Sequence, residues 1–139
     1  IRTAECAGVH GIIIPKRRAA ALTPVVAKVA AGAAEHIPVA RVTNLTMTIR
    51  DLKEKGLWIA GADMTGETAY NEYDYKSPLA VVIGSEGEGI SRLVRENCDL
   101  LLRIPMYGKI NSLNAAIAAA LIAFRAAEKR NEAGLIARW

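Results

Sequence analysis

The amino-acid sequence predicts a single α/β domain in which helices cover a parallel sheet. Short runs rich in β-branched residues alternate with helical stretches along the chain, which is the pattern of such a sheet. With 139 residues, of which 52% are hydrophobic and 23% charged, the chain can bury a core of its own. It contains no internal repeat, low-complexity segment or linker that would divide it.

The predicted strands are short apolar runs bounded by turn residues. The run LAVVIG is apolar throughout, which is typical of a central strand that is buried on both faces. A polar loop, residues 64–78, precedes it. The predicted strands cover residues 12–14, 39–42, 57–61, 79–84 and 100–104.

The predicted helices are identified by the residues that begin and end them. A Ser, Thr or Asn side chain can accept a hydrogen bond from a free N–H group of the first turn, and Pro fits the first helical position. Glycine commonly follows the last turn, as Gly32 and Gly56 do here. Helices are therefore expected to begin at Thr23–Pro24, at Asn44 or Thr46, at Ser91 and at about Asn114, the last running to Lys129.

The chain is basic, with a net charge of +4 and a pI near 9.3, which favours a polyanionic partner. Aromatic residues make up only 5% of it, so nucleic acid would be held mainly by Arg and Lys side chains on phosphates rather than by base stacking. Lys16, Arg17 and Arg18, directly after the first strand, are candidate RNA contacts, and a solvated loop explains them equally well.

Several classes of protein do not fit the sequence. It has no apolar run long enough to span a membrane, and its first residues lack the basic and apolar regions of a signal peptide. Cys6 and Cys98 have no metal-ligand spacing. We therefore expect a cytoplasmic protein with reduced thiols, no metal site and no membrane partner.

A glycine-rich loop follows the fourth predicted strand in the stretch IGSEGEGIS. Gly84, Gly87 and Gly89 let the backbone turn sharply and approach a ligand closely. Their spacing is neither that of a dinucleotide loop nor that of a Walker loop, and Glu86 and Glu88 would repel a pyrophosphate. A ligand with cationic character fits the loop better, although a simple strand-to-helix turn also explains it.

A second cluster follows the last predicted strand in the stretch IPMYGKINSLNAA. Gly108 permits a bend, and Ser112 and Asn114 stand at a helix start, where an N-cap role would explain either one alone. Both clusters lie at the carboxyl ends of strands that are expected to be adjacent. Open parallel sheets bind their ligands at that edge.

These two stretches resemble motifs two and three of the SpoU/TrmH branch of the SPOUT RNA methyltransferases. The first residues, IRTAECAGVHGIIIP, resemble the second half of motif one, Asn-x-Gly-Ala-x-x-Arg-Thr-Ala. The segments AAGAAEHIPVARVTNL and LKEKGLWIAGAD resemble the bacterial subgroup that methylates a guanosine ribose in large-subunit ribosomal RNA.

The resemblance implies a fold and an assembly. The fold is a three-layer sandwich on a parallel sheet with a C-terminal trefoil knot built from the SEGEG and PMYGKINS loops. Residues 1–139 would be a catalytic domain that begins inside motif one, without the RNA-binding domain that usually precedes it. A homodimer is expected through the final helix, whose apolar residues recur at helical spacing, at Ile117, Ala120, Leu121 and Phe124.

The resemblance also implies S-adenosylmethionine as cofactor and direct transfer of its methyl group to a ribose 2′-oxygen, without a metal. Arg2 would activate the hydroxyl or hold a neighbouring phosphate, and phosphate positioning is favoured because arginine stays protonated. Glu86, Ser112 and Asn114 would orient Arg2 and the target nucleotide. The expected cofactor-binding residues are Gly84, Gly87, Ile104, Met106, Gly108 and Leu113.

Three alternatives remain at this point. The substrate could be a tRNA ribose instead of ribosomal RNA. The chain could be a binding or assembly domain that holds cofactor or RNA without turnover. A nucleotide-binding enzyme such as a dehydrogenase is disfavoured by the glycine spacing.

Overall fold

The computed structural model describes residues 1–16, 36–85 and 87–136. Its helices are α1 (Arg2–Cys6), α2 (Leu45–Glu54), α3 (Arg92–Asn97) and α4 (Ala115–Glu132). Its strands are β1 (Ile12–Pro15), β2 (Val39–Val42), β3 (Trp58–Ala62), β4 (Thr68–Ala69), β5 (Leu79–Val82) and β6 (Leu100–Arg103).

The described strands form two parallel sheets. β1 pairs with β2, and the second sheet has the order β4-β6-β3-β5. In the second sheet Gly61 of β3 is opposite Val82 of β5 on one side and Leu101 of β6 on the other. Because all these pairs are parallel, the carboxyl ends of β3, β5 and β6 lie at the same edge of the sheet.

Two buried clusters place helices on both faces of the four-stranded sheet. Ile59 packs with Ile49 of α2 and Val94 of α3, whereas Ala60 packs with Leu102 of β6 and Ile122 of α4, together with Tyr75. Consecutive residues of a strand point to opposite faces. The four-stranded sheet therefore has α2 and α3 on one face and α4 on the other, which gives the predicted three layers.

The helix caps follow the sequence closely. The Asn44 side chain accepts a hydrogen bond from the N–H of Met47, and Ser91 Oγ accepts one from the N–H of Val94. Thr46, the other candidate for the first of these caps, is instead a buried residue within α2. Gly56 follows α2 with φ of +95°, as expected of a residue after a helix end. The helix predicted from Thr23 to Gly32 lies outside the described residues.

Two predictions about the sheet were wrong. Among the described strands β5 is not central: it is at the edge of the four-stranded sheet and is half-buried along its length. Residues 64–78 are more than a polar loop, since they contain β4 and the fully buried Tyr75. The Tyr75 hydroxyl donates to the carbonyl oxygen of Tyr70, and Arg130 of α4 donates to the carbonyl oxygen of Tyr75 at 3.0 Å. Because these hydrogen bonds satisfy its hydroxyl and carbonyl groups, Tyr75 can be buried although the segment around it is polar.

Candidate functional site

Two loops of the predicted site leave the carboxyl edge of the sheet, but from strands that are not neighbours. The glycine-rich loop follows β5, and the loop beginning at Ile104 follows β6. β3 lies between these strands and pairs with both. The expectation that the two strands are adjacent was therefore wrong, and the end of β3 stands between the two loops.

The glycine-rich loop is closed by its own backbone. The N–H of Ser85 donates to the carbonyl oxygen of Gly89 at 3.2 Å, and the N–H of Gly89 donates back to Ser85 at 2.8 Å. Gly87 and Gly89 have φ of +85° and +71°, a region in which a side chain is strained. A Cβ on Gly84 would lie 2.6 Å from the carbonyl oxygen of Gly89. Glycine is thus required at these positions by the closed turn itself.

The loop after β6 is mostly open to solvent. Ile104 and Met106 are half-buried, whereas Gly108, Ser112 and Leu113 are exposed. The loop therefore presents both apolar side chains and accessible backbone at the carboxyl edge.

Asn114 ends this loop as the N-cap of α4. Its Oδ1 accepts from the N–H of Ala116 at 2.8 Å and from that of Ile117 at 3.4 Å. The N-cap interpretation of Asn114 is thus confirmed, and any role with substrate would have to be combined with it. Ser112 contributes no cap to α4.

A third segment of this edge was missed from the sequence: residues 63–67, which connect β3 to β4 and are called here the β3–β4 segment. Asp63 is the first residue after β3, and its carboxylate accepts hydrogen bonds from the N–H and hydroxyl of Thr65. Its other oxygen lies 2.7 Å from Nη2 of Arg95 on α3. The sequence shows Asp63 two residues after the end of the third predicted strand. The importance of this residue depends on where β3 lies in the sheet, which the sequence alone does not indicate.

The charge of Asp63 is stabilised by its surroundings. Burial acts to raise the pKa of this carboxyl, and it is outweighed by the hydrogen bonds from Thr65 and by the positive charge of Arg95. The net effect lowers the pKa of Asp63 below its ordinary value. The Asp63 carboxylate is therefore ionised at neutral pH, and its side chain is largely buried.

The remaining predicted residues are not brought together by a described contact. Arg2 is exposed at the start of α1, which lies against α4, and Lys16 is exposed after β1. Glu86, Arg17 and Arg18 lie outside the described residues. Among the residues that the structure describes, no cluster of His, Cys, Asp and Glu could hold a metal ion, and no helix is long and apolar enough to cross a membrane.

Among the residues that the structure describes, the final helix has a buried side toward the sheet and an exposed apolar side. Ile122 is buried against the sheet, but Ile117, Leu121 and Phe124 remain 52%, 36% and 45% exposed. These three side chains line a groove of about 480 Å³, which Tyr70 and Arg125 help to form. An apolar stripe of this kind on a helix usually faces another protein surface.

The chain was compared with known families and curated proteins. The model described as the SpoU rRNA Methylase family matches residues 1–124. A Bacillus subtilis protein of the TrmH family of tRNA/rRNA methyltransferases is 53% identical over 134 residues, which are 96% of this chain and 54% of the relative. The chain thus spans about half the length of the curated relatives that it matches.

Solved structures match the fold over nearly the whole chain. The SpoU methyltransferase AviRb from Streptomyces viridochromogenes, in complex with the cofactor AdoMet, is 29% identical with a TM-score of 0.87, and the match covers 94% of this chain and 54% of that one. The A. aeolicus TrmH/SpoU tRNA modifying enzyme is 27% identical with a TM-score of 0.86, covering 96% and 68%.

The closed glycine turn gives a testable consequence for stability. Gly84→Ala should lower the free energy of unfolding by about 1–3 kcal/mol, because the new methyl group meets backbone atoms that cannot move aside without opening the turn. Gly108→Ala is the matched control: its Cβ would meet no atom within 4 Å, so the cost should stay below about 0.5 kcal/mol. Chemical denaturation of the two variants measures both effects. Equal stability of the two would contradict this description of the loop.

Proposed function

Because this chain belongs to the SpoU rRNA methylase family, we propose that it transfers a methyl group from S-adenosylmethionine to the 2′-hydroxyl of an RNA ribose. The observation that carries the proposal is the pair of loops, residues 84–89 and 104–113, at the carboxyl edge of one parallel sheet. Ligands of open α/β sheets bind at this edge. We take residues 1–139 as the catalytic domain.

The described residues of these loops fit the cofactor. No atom lies within 4 Å of the position that a Cβ would occupy on Gly87, Gly89 or Gly108, so a ligand can come close to the main chain there. Backbone N–H and C=O groups can read the edge of an adenine. Glu88 is exposed in the first loop and suits a cationic sulfonium better than a phosphate. We assign Ile104, Met106 and Leu113 to apolar contacts with the cofactor, and Gly84 to a main-chain contact with it.

The bound cofactor supplies an electrophilic methyl group on its sulfonium sulfur. The protein's contribution is alignment, since holding the nucleophile and the methyl group in line can provide most of the rate enhancement. Arg2 binds a substrate phosphate beside the target ribose, because a guanidinium is a strong phosphate ligand and a poor base. Ser112, Asn114 and Glu86 are the polar groups assigned to orienting Arg2 and the nucleotide.

The substrate that we propose is a guanosine of large-subunit ribosomal RNA. The support is the resemblance of the LKEKGLWIAGAD region to that subgroup and the basic charge of the chain. Lys16, Arg17 and Arg18 would contact phosphates. A tRNA ribose is the alternative, and it is tested in the same assay.

We also propose that the chain carries the trefoil knot of its family and works as a homodimer. The knot would be formed by the loops at 84–89 and 104–113 with α4 passing through. The exposed stripe of α4, Ile117, Leu121 and Phe124, would be covered by the same stripe of a second copy, as a two-fold interface requires. α1 lies against α4, so Arg2 would stand near that interface.

Methyl transfer from labelled S-adenosylmethionine to ribosomal RNA and to tRNA tests the activity, and mass spectrometry of the product nucleosides locates the methyl group. We expect a ribose-methylated guanosine from large-subunit RNA. Arg2→Ala should reduce turnover by about two orders of magnitude at unchanged cofactor affinity, and Arg2→Lys should keep part of the activity because it keeps the charge. Methylation on a base, or loss of cofactor affinity with full turnover in Arg2→Ala, would contradict the assignment.

Light scattering at micromolar concentration tests the dimer. The chain should have twice its monomer mass, and Leu121→Asp should give a monomer, because it buries a charge in the apolar interface. Met47→Asp is the control, since Met47 is also an exposed apolar residue of a helix and lies on α2, away from the stripe. A monomer mass for the unaltered chain, or dissociation by both variants, would count against this interface.

A further inference from the structure

The β3–β4 segment has side-chain contacts with elements on both of its sides. It begins where β3 ends, and β3 lies between β5 and β6, from which the two loops leave. No residue of this segment was part of the predicted site. Its contacts run in both directions, toward the glycine-rich loop and toward the loop after β6.

On the side of the glycine-rich loop the contact is the ion pair between Asp63 and Arg95. Arg95 belongs to α3, whose N-cap Ser91 lies two residues after the loop ends. The Asp63 side chain is only 8% exposed and the Oδ2–Nη2 distance is 2.7 Å. Ile90, between loop and helix, is buried against Ile59 of β3. A shift of α3 would therefore move the end of the glycine-rich loop.

On the other side the segment is bound to the end of β6. Nη1 of Arg103 donates to the carbonyl oxygens of Gly66 and Glu67 at 3.1 and 3.0 Å. Gly66 approaches β6 so closely that a Cβ there would lie 2.6 Å from the carbonyl oxygen of Leu101. Arg103 is the last residue of β6 and directly precedes Ile104, the first residue of the second cofactor loop.

We propose that Asp63 and Arg95 are positioning residues, which set the spacing of the loops at 84–89 and 104–113 and so tune cofactor affinity without touching the reacting atoms. The inference rests on the proposed function for the identity of the ligand. A charge-assisted hydrogen bond to an enclosed carboxylate is stronger than an exposed ion pair. Loss of the Asp63–Arg95 hydrogen bond should therefore change the positions of both loops.

The chain offers a matched comparison on the same helix. Arg92 pairs with Glu96 at 3.0 Å within α3, with side chains 92% and 54% exposed. Arg92→Gln removes an ion pair of the same chemistry from α3 without affecting the β3–β4 segment. Arg95→Lys keeps the charge that Asp63 needs and serves as the conservative variant.

Calorimetric titration with S-adenosylhomocysteine tests the effect on binding. Asp63→Asn and Arg95→Gln should each raise its Kd about three- to tenfold, with little further loss in the double variant because they break one interaction. Arg95→Lys should recover much of the affinity, Arg92→Gln should match the unaltered chain, and turnover at saturating cofactor should change little in any of them. Equal Kd values throughout, or the same weakening in Arg92→Gln, would overturn the proposal.

Amide hydrogen exchange of the ligand-free chain separates this proposal from the proposed function. Arg95→Gln should speed exchange in residues 63–67 and 104–110, and Arg92→Gln should not. If the unaltered chain bound no S-adenosylhomocysteine, the cofactor assignment would fail, and this exchange pattern would still report whether the ion pair couples the loops. Exchange that rises only within α3 would show that Arg95 has a local structural role and would contradict the proposal.

Discussion

The structure depends on one constraint, the parallel pairing of β3 with strands on both of its sides. β3 is the most buried strand described, and consecutive residues Ile59 and Ala60 belong to the two cores on opposite faces of the sheet. Parallel pairing brings the carboxyl ends of β5, β3 and β6 to one edge. The site, the layers and the contacts of the final helix all follow from this arrangement.

The two faces of the sheet serve different purposes. On one face, α2 and α3 pack against β3, Ile90 is buried in the same core, and Arg95 of α3 forms an ion pair with Asp63. On the other face, Arg130 of α4 donates to the carbonyl oxygen of Tyr75, and the described part of the chain leaves the apolar stripe of α4 exposed. The proposed cofactor loops and the proposed dimer interface would therefore depend on helices at opposite faces of the same sheet.

Local features were predictable from the sequence and long-range pairing was not. The caps at Asn44 and Ser91 and the strand at 39–42 were found correctly, because each depends on neighbouring residues. The position of β5 at an edge depends on hydrogen bonds between distant strands, which leave no local pattern. Asp63 and Arg95 are 32 residues apart, and the partner of the Tyr75 carbonyl oxygen, Arg130, is on the distant α4. The sequence thus pointed to the two candidate loops, which stay a prediction, and it did not point to the segment between them.

We propose that the cofactor lies at the carboxyl edge of the sheet, over the end of β3. A crystal structure of the chain grown with S-adenosylhomocysteine tests this most directly. We expect the ligand between residues 84–89 and 104–113, with its adenine contacting the main chain near Gly84 and Ile104 and the Asp63–Arg95 pair intact beneath it. A ligand at another edge or in the α4 groove, or failure of the folded chain to bind at saturating concentration, would contradict the claim.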